Sequence, residues 1–232
     1  MPAMTELVYS PYFGVILSIF AFEFGVAISK RTATPLANPL LIAVIIIIAV
    51  LQIFHIPTEA YNQGGDLIAL FLAPATAALA VPIYKNLQIL KANLLPILVG
   101  TLVGSISSMG IILLLCKLCG FDAQIEASLL AKSVTTPIAM AVTEQLGGIV
   151  PIIIPAVIFT GILGSIITPT LIKLFKVTDP IAQGVGIGTC SHAVGTTRAV
   201  ALGEVQGAMS GIAMGLAGLI TVLLSYVFLP LL

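Results

Sequence analysis

Long uninterrupted apolar runs are the feature that most restricts what this chain can fold into. The run Leu40–Ile48 contains no polar or charged residue. A helix needs about 20 predominantly apolar residues to cross about 30 Å of hydrocarbon. Strands of a membrane barrel would alternate polar and apolar residues, and this run does not alternate. The sequence therefore predicts an all-α, polytopic integral membrane protein.

The composition agrees with this class and excludes several others. Of 232 residues, 59% are hydrophobic and 8% are charged, with nine basic and nine acidic side chains. A soluble domain carries about 25% charged residues, so this chain lacks the polar surface that water requires. Disorder, a disulfide-stapled secreted fold and a basic nucleic-acid-binding face are excluded on the same grounds. We expect a single transmembrane domain over residues 1–232, with the lipid bilayer as its surroundings and no nucleic acid partner.

Charged and turn-forming residues divide the chain into seven to eight hydrophobic segments. The predicted bounds are Tyr12–Ile28, Leu36–Phe54, Leu67–Tyr84, Leu94–Leu118, Ile125–Leu146, Ile149–Leu174, Ile181–Leu202 and Val205–Leu232.

The basic residues favour one arrangement of these segments. Positive charges prefer the cytoplasmic side of a membrane. The pairs Lys30–Arg31, Lys85–Lys91 and Lys173–Lys176 are all cytoplasmic if the N-terminus is outside and the fifth segment enters and leaves on one face. We therefore predict a re-entrant segment at 125–146 with its tip near Thr135 and Pro137. The alternative is that the charge bias is too small to orient the sixth helix.

With that topology, segments two to four and six to eight run in opposite directions. Residues 75–81 can be laid over residues 195–201, and Gly100-x-x-x-Gly104 over Gly211-x-x-x-Gly215. Opposed repeats with broken helices are typical of secondary transporters. We predict inverted repeats over 36–118 and 149–232.

Polar groups within the membrane are costly to bury, so they indicate function. The seventh segment has glycines at 184, 186, 188 and 195, which weaken a helix. A half-helix starting near Gly195 would direct N–H groups at the break, and Arg198 has a donor fork suited to a carboxylate. This pattern predicts a small organic anion as ligand. The alternative is that Arg198 pairs with Glu204 and joins two helices.

The fifth segment carries a second polar cluster. Pro137 disfavours helix at Thr136, so a half-helix would begin there with hydroxyl groups at its start. The alternative is a kinked helix whose threonines cap their own backbone. The candidate substrate-binding residues are Ser133, Thr135, Thr136, Thr189, Ser191, Thr196, Thr197 and Arg198. The candidate proton-coupling residues are His192, which is otherwise a structural hydrogen-bond donor, and Glu204.

Catalytic and metal chemistry are not expected. The chain has two histidines and three cysteines, and Cys116-x-x-Cys119 has no second pair, so zinc-ligand spacing is missing. Ser191 and His192 are neighbours without an orienting acid, which does not form a hydrolytic triad. We predict no cofactor, no metal and no enzyme activity.

Three motifs resemble the LrgB/CidB family of bacterial membrane proteins. They span residues 132–139 (KSVTTPIA), 188–199 (GTCSHAVGTTRA) and 203–210 (GEVQGAMS). The resemblance extends over essentially the whole chain and includes the plastid glycolate/glycerate transporter. It implies transport of small monocarboxylates such as pyruvate, glycolate or glycerate, which agrees with the predicted anion site.

The same resemblance implies a location and partners. It places the chain in the bacterial cytoplasmic (inner) membrane, with an LrgA/CidA-type small membrane protein as partner and a homo- or hetero-oligomer as assembly. Its alternative implication is a holin/antiholin-like regulator of murein hydrolase export and cell lysis. A third possibility is a scaffold whose activity resides in the partner.

Overall fold

The computed structural model describes residues 8–32, 37–71, 74, 77–78 and 80–232. In these ranges every regular element is helical, as the apolar runs predict. The chain divides into two compact units, Met1–Ala78 and Leu79–Leu232. Part of the third predicted segment, and with it part of the 75–81 repeat motif, lies outside the described residues.

The first unit contains three helices. They are α1 Pro11–Thr32, α2 Pro39–Ile53 and α3 Thr58–Ala69. The Asn38 side chain accepts from the amides of Leu40 and Leu41 and so caps α2. On α1, Ser18 Oγ lies 2.8 Å from the hydroxyl of Tyr61 on α3. Helix α3 is the one element here that the sequence prediction missed.

The second unit holds the remaining elements. They are α4 Ala80–Lys85, α5 Leu87–Ala92, α6 Leu94–Cys119, α7 Ala123–Leu129, α8 Thr136–Gln145, α9 Val150–Leu174, α10 Pro180–Leu202, α11 Glu204–Phe228 and a final 3-10 turn, Leu229–Leu231.

Four of the described helices are long and apolar enough to cross a membrane: α1, α6, α9 and α11 with its terminal turn. Their bounds agree with the predicted first, fourth, sixth and eighth segments to within about four residues. The protein is therefore embedded in a membrane through several helices. Helix α2 is also apolar but has 15 residues.

The fifth predicted segment is broken where proline predicts a break. Helix α7 ends at Leu129, and α8 begins at Thr136 after Thr135, which has an extended backbone (ψ 147°). The chain then turns back, as a hydrogen bond between the two ends of the segment shows: the Ile149 amide donates to Ser128 Oγ at 2.6 Å. We call residues 123–145 hairpin A.

The seventh predicted segment also reverses. His192, in the middle of α10, has φ 41° and ψ −139°. Gly188 before this point and Thr196 after it both contact Ser210 of α11. A Cβ added at Gly195 would lie 3.1 Å from Ile187. The two halves of α10 are therefore antiparallel, and we call residues 180–202 hairpin B.

The sequence predicts that glycines open the seventh segment as it crosses the membrane, with a half-helix starting near Gly195, and this geometry corrects that prediction. The chain turns at His192 and does not open at Gly184 or Gly188, which lie within helix. A Cβ at either glycine would contact the backbone carbonyl of Gln206 or Ser210 on α11. These glycines permit close helix packing instead of unwinding.

The long helices place the two hairpin tips together. The first half of α6 contacts hairpin B, at Gly104 and Thr189, and its second half contacts hairpin A, through Ser108 and Ser133. Helix α9 has the reverse order, since it starts beside hairpin A and reaches Ser191 of hairpin B at Gly164. Helices α6 and α9 are thus antiparallel, and the hairpins approach from opposite ends of this unit.

Each hairpin has its own buried apolar cluster. The cluster around hairpin A includes Val134, Val142 and Val157. The cluster around hairpin B includes Val185 and Met209. Polar side chains collect between the two clusters, where the tips meet.

Candidate functional site

The tips of the two hairpins meet beside the middle of α6. Ser133, in the break of hairpin A, lies 2.7 Å from Ser108 of α6, Oγ to Oγ. Thr189 and Ser191 of hairpin B share cavities with Ser133. The two interrupted stretches that the sequence singled out are therefore neighbours, although they are about 60 residues apart.

A cleft of about 380 Å³ opens between the tips. Helix α9 comes close to hairpin B here because Gly164 has no side chain; a Cβ at this position would contact the Ser191 hydroxyl. The polar and sulfur-bearing residues that line the cleft are Ser108, Lys132, Ser133, Thr160, Thr168, Cys190 and Ser191. A volume of this size accommodates a small organic molecule.

Lys132 supplies the positive charge of the cleft. Its side chain is half-buried, and its Nζ donates to Ser133 Oγ at 3.3 Å. Among the described residues it has no carboxylate at ion-pair distance. A cation within a membrane protein that is not balanced by an acid attracts an anionic ligand.

Hairpin A adds backbone donors beside this charge. Thr135 is the N-cap of α8, and its side chain makes no capping hydrogen bond. The first amides of a helix have no partner within the helix, and they favour negative charge. The break in hairpin A thus brings a cation and a helix start together.

A second, much smaller cavity lies behind the Ser108–Ser133 pair, which lines both spaces. Its volume is about 10 Å³, about that of one water-sized sphere. Five residues that carry a hydroxyl group line it: Ser105, Ser108, Ser133, Thr189 and Thr221. We call this group the hydroxyl cage.

His192 holds the tip of hairpin B against α9. Its ring is 3% exposed, and Nε2 donates to the backbone carbonyl of Val157 at 2.9 Å. A carbonyl can only accept, so the proton of the neutral ring lies on Nε2. Gly161 of α9 leaves room for this ring, because a Cβ there would lie 2.6 Å from Cε1. The geometry is that of a structural hydrogen-bond donor.

The structure places the other predicted site residues in several different environments. Ser133 and Ser191 line the cleft and Thr189 lines the cage. Thr196 is buried and bonded to Ser210 Oγ at 2.9 Å and to the His192 carbonyl. The half-buried Thr135 and Thr136 begin α8, and the exposed Thr197, Arg198 and Glu204 are not among the cleft residues.

The predicted alternative for Arg198 is also not seen. Arg198 and Glu204 are both described, and they form no ion pair. The sequence analysis assigned the anion-binding charge to Arg198 and did not include Lys132 among the candidate residues. The signal for Lys132 was its position beside Ser133 in the broken segment.

Ser108 was missed because it lies in a long apolar segment. Its signal is the spacing of Thr101, Ser105 and Ser108, which places three hydroxyls on one face of α6. Within the described ranges, no three His, Cys, Asp or Glu side chains cluster closely enough to hold a metal ion.

The first unit contains a different kind of cavity. It measures about 550 Å³ and is mostly apolar, with Ser18, Glu23 and Tyr61 as its polar residues. Among the described residues, its lining includes an acid and no basic side chain, so this part of the cavity does not attract an anion.

Comparison with known proteins gives a consistent result. The LrgB-like family profile matches residues 18–231. Proteins named antiholin-like protein LrgB from Bacillus mycoides (strain KBAB4), Bacillus cereus (strain B4264) and Bacillus anthracis (strain CDC 684 / NRRL 3495) are each 36% identical over 222 residues. These matches cover 95% of this chain and 96% of each relative. No solved structure matches the chain significantly.

Proposed function

This chain belongs to the LrgB-like family, and we propose that it is a secondary transporter of small monocarboxylates such as pyruvate, glycolate or glycerate. The observation that carries the proposal is the meeting of two interrupted hairpins around a cleft that contains Lys132 and three serine hydroxyls. Transport of this kind needs no covalent step, and we propose that the chain is not an enzyme.

The carboxylate would bind to Lys132 and to the hydroxyl groups beside it. Lys132 and Ser133 come from hairpin A, Ser191 from hairpin B and Ser108 from α6. Hydrogen bonds between charged partners contribute about 1.5–3 kcal/mol each. Because both hairpins would hold the anion, a movement of either hairpin would open the cleft to one side.

The opposed hairpins also support inverted repeats. A central site reached from two sides is the usual arrangement of transporters with broken helices. The repeat bounds 36–118 and 149–232, the count of seven to eight segments and the proton-coupling roles of His192 and Glu204 stay predictions.

Uptake into proteoliposomes tests the proposed site. We expect saturable uptake of labelled pyruvate, glycolate or glycerate, and a loss of at least about tenfold in Lys132→Gln, the low end of the cost of a charged hydrogen bond. Lys173→Gln is the matched control, because Lys173 is exposed in the last turn of α9. Normal uptake by Lys132→Gln, or an equal loss in Arg198→Gln, would refute Lys132 as the main charge.

A native cysteine reports on the cleft directly. Cys190 lines the cleft and is exposed, whereas Cys119 is exposed at the end of α6. We expect pyruvate to slow alkylation of Cys190 by a small maleimide and to leave Cys119 unaffected. Equal rates with and without every tested monocarboxylate would count against binding in this cleft.

The second candidate is an antiholin-like regulator of murein hydrolase export and cell lysis. The name antiholin-like protein, which these relatives carry, favours it more directly than transport. Under this proposal the chain acts in the bacterial inner membrane with an LrgA/CidA-type partner, as a homo- or hetero-oligomer. It predicts that Lys132→Gln changes neither autolysis nor murein hydrolase release. A transporter that affects lysis through its cargo predicts that both phenotypes follow uptake.

A further inference from the structure

The hydroxyl cage contains buried polar side chains, one of which has no hydrogen-bond partner in the part of the chain that the structure describes. Ser105 and Thr189 are 4% and 6% exposed, and Thr221 is 4% exposed. The Oγ of Ser105 has no hydrogen-bond partner among the described residues. A buried hydroxyl without a partner is destabilising unless a ligand supplies the missing contact.

The hydroxyl-bearing residues around this cavity come from four different elements. Helix α6, the break of hairpin A, hairpin B and α11 each contribute at least one hydroxyl. Leu130, the C-cap of α7, also lines the cage. Oxygen ligands suit a hard cation, and sites at broken helices bind Na⁺ in transporters.

We propose that the hydroxyl cage binds one sodium ion and that its binding is coupled to the anion in the cleft; the coupling rests on the proposed transport function. The volume of about 10 Å³ admits one small dehydrated ion. Ser108 and Ser133 form the wall between the two spaces, so the ion and the anion lie on opposite sides of one hydrogen-bonded pair.

Lys132 is the reason for the coupling. Its ammonium donates to Ser133 Oγ at 3.3 Å, and Ser133 is part of the cage. Like charges at this range repel strongly in a low-dielectric interior. An anion bound to Lys132 neutralises this repulsion, so each ligand increases the affinity for the other.

Binding of ²²Na⁺ to the purified full-length chain in nanodiscs tests the proposal, with choline chloride holding the ionic strength constant. We expect saturable binding that pyruvate strengthens at least fivefold. Ser105→Ala should weaken sodium binding at least fivefold. Thr101→Val is the matched control, because it removes another buried and unpartnered hydroxyl of α6 that lies outside the cage.

Lys132→Met separates the ion site from the proposed anion. It removes the repelling charge, so we expect sodium affinity without pyruvate to rise at least tenfold and the effect of pyruvate to vanish. Thermal unfolding in nanodiscs checks that each variant is folded.

The outcomes are distinct. A cage that holds only water gives no saturable ²²Na⁺ binding in the wild type or in Lys132→Met, and this overturns the proposal. Equal losses in Ser105→Ala and Thr101→Val also overturn it. Sodium binding that depends on Ser105 but ignores every tested monocarboxylate confirms the ion site and overturns the coupling, whereas a wrong cargo is recognised separately by the lack of saturable uptake into proteoliposomes.

Discussion

His192 combines a strained backbone with a buried side-chain bond. Its φ of 41° and ψ of −139° lie in a region that side chains with a Cβ rarely adopt, at a cost of about 1–3 kcal/mol. The bond from its ring to the Val157 carbonyl and its near-complete burial offset that strain. The same residue therefore makes the turn of hairpin B and fastens it to α9.

This strain predicts an unusual order of stability at position 192. His192→Ala loses the ring and keeps the strain, whereas His192→Gly loses the ring and relieves the strain. We expect His192→Gly to be more stable than His192→Ala by about 1–2 kcal/mol, measured by unfolding in mixed micelles. Ala141→Gly, at an exposed position within α8, should instead lose about 1 kcal/mol. An alanine variant more stable than the glycine variant would disprove strain at His192.

Local sequence found the segment of this turn but not its residue. Helix propensity places a break at glycines, and four of them precede or follow His192 in the seventh segment. The φ of His192 is set by contacts with α9 and α11, which are distant in sequence. Lys132 was undervalued for a related reason, because its place in a cleft depends on the reversal of both hairpins.

Among the helices, α10 and α11 pack closely because glycines of α10 have no side chain where the two helices meet. A Cβ at Gly188 would contact the Ser210 carbonyl, whereas a Cβ at Gly186 has open space around it. We expect Gly188→Ala to destabilise the protein by about 1–3 kcal/mol through overpacking. Gly186→Ala should be neutral or stabilising by up to about 1 kcal/mol, since alanine favours helix.

Unfolding of both variants in mixed micelles measures this difference. The two substitutions are identical and two residues apart in one helix, so propensity affects both equally. Similar stabilities would show that the backbones of α10 and α11 are not in contact at Gly188 and Ser210.

Sequence predicts the apolar elements well and the polar ones poorly. Helix α6 was predicted as Leu94–Leu118 and spans Leu94–Cys119, because length and hydrophobicity alone define a membrane-crossing helix. Helix α3 was missed, since Glu59 and Asp66 interrupt its apolar pattern. Hairpin B was expected to cross because its composition fits a crossing. Its reversal is revealed by tertiary contacts, such as those of Ser210 with both halves.

At the scale of the second unit, the antiparallel arrangement of α6 and α9 determines which loops share a face. Lys91 precedes α6 and Lys173 ends α9, so both lie at one end of this unit, and Lys117 lies at the other end. The same order follows from the positive charges only if residues 125–146 enter and leave on one face. Helix packing and the predicted topology thus place these lysines in the same order, and the re-entrant segment itself stays a prediction.

Cysteine labelling tests this topology. In a background that lacks Cys116, Cys119 and Cys190, we expect Lys91→Cys and Lys173→Cys to react with an impermeant maleimide from the cytoplasmic side. Lys117→Cys should react from the opposite side.

The two half-helices of hairpin B are about 18 and 15 Å long at 1.5 Å per residue. Each is too short to cross the membrane, so α11 must start on the same side as Lys173. Labelling of Lys91→Cys and Lys173→Cys from opposite sides would require hairpin A to cross the membrane. The two tips would then enter from one face, and a cleft reached alternately from both sides could not form between them.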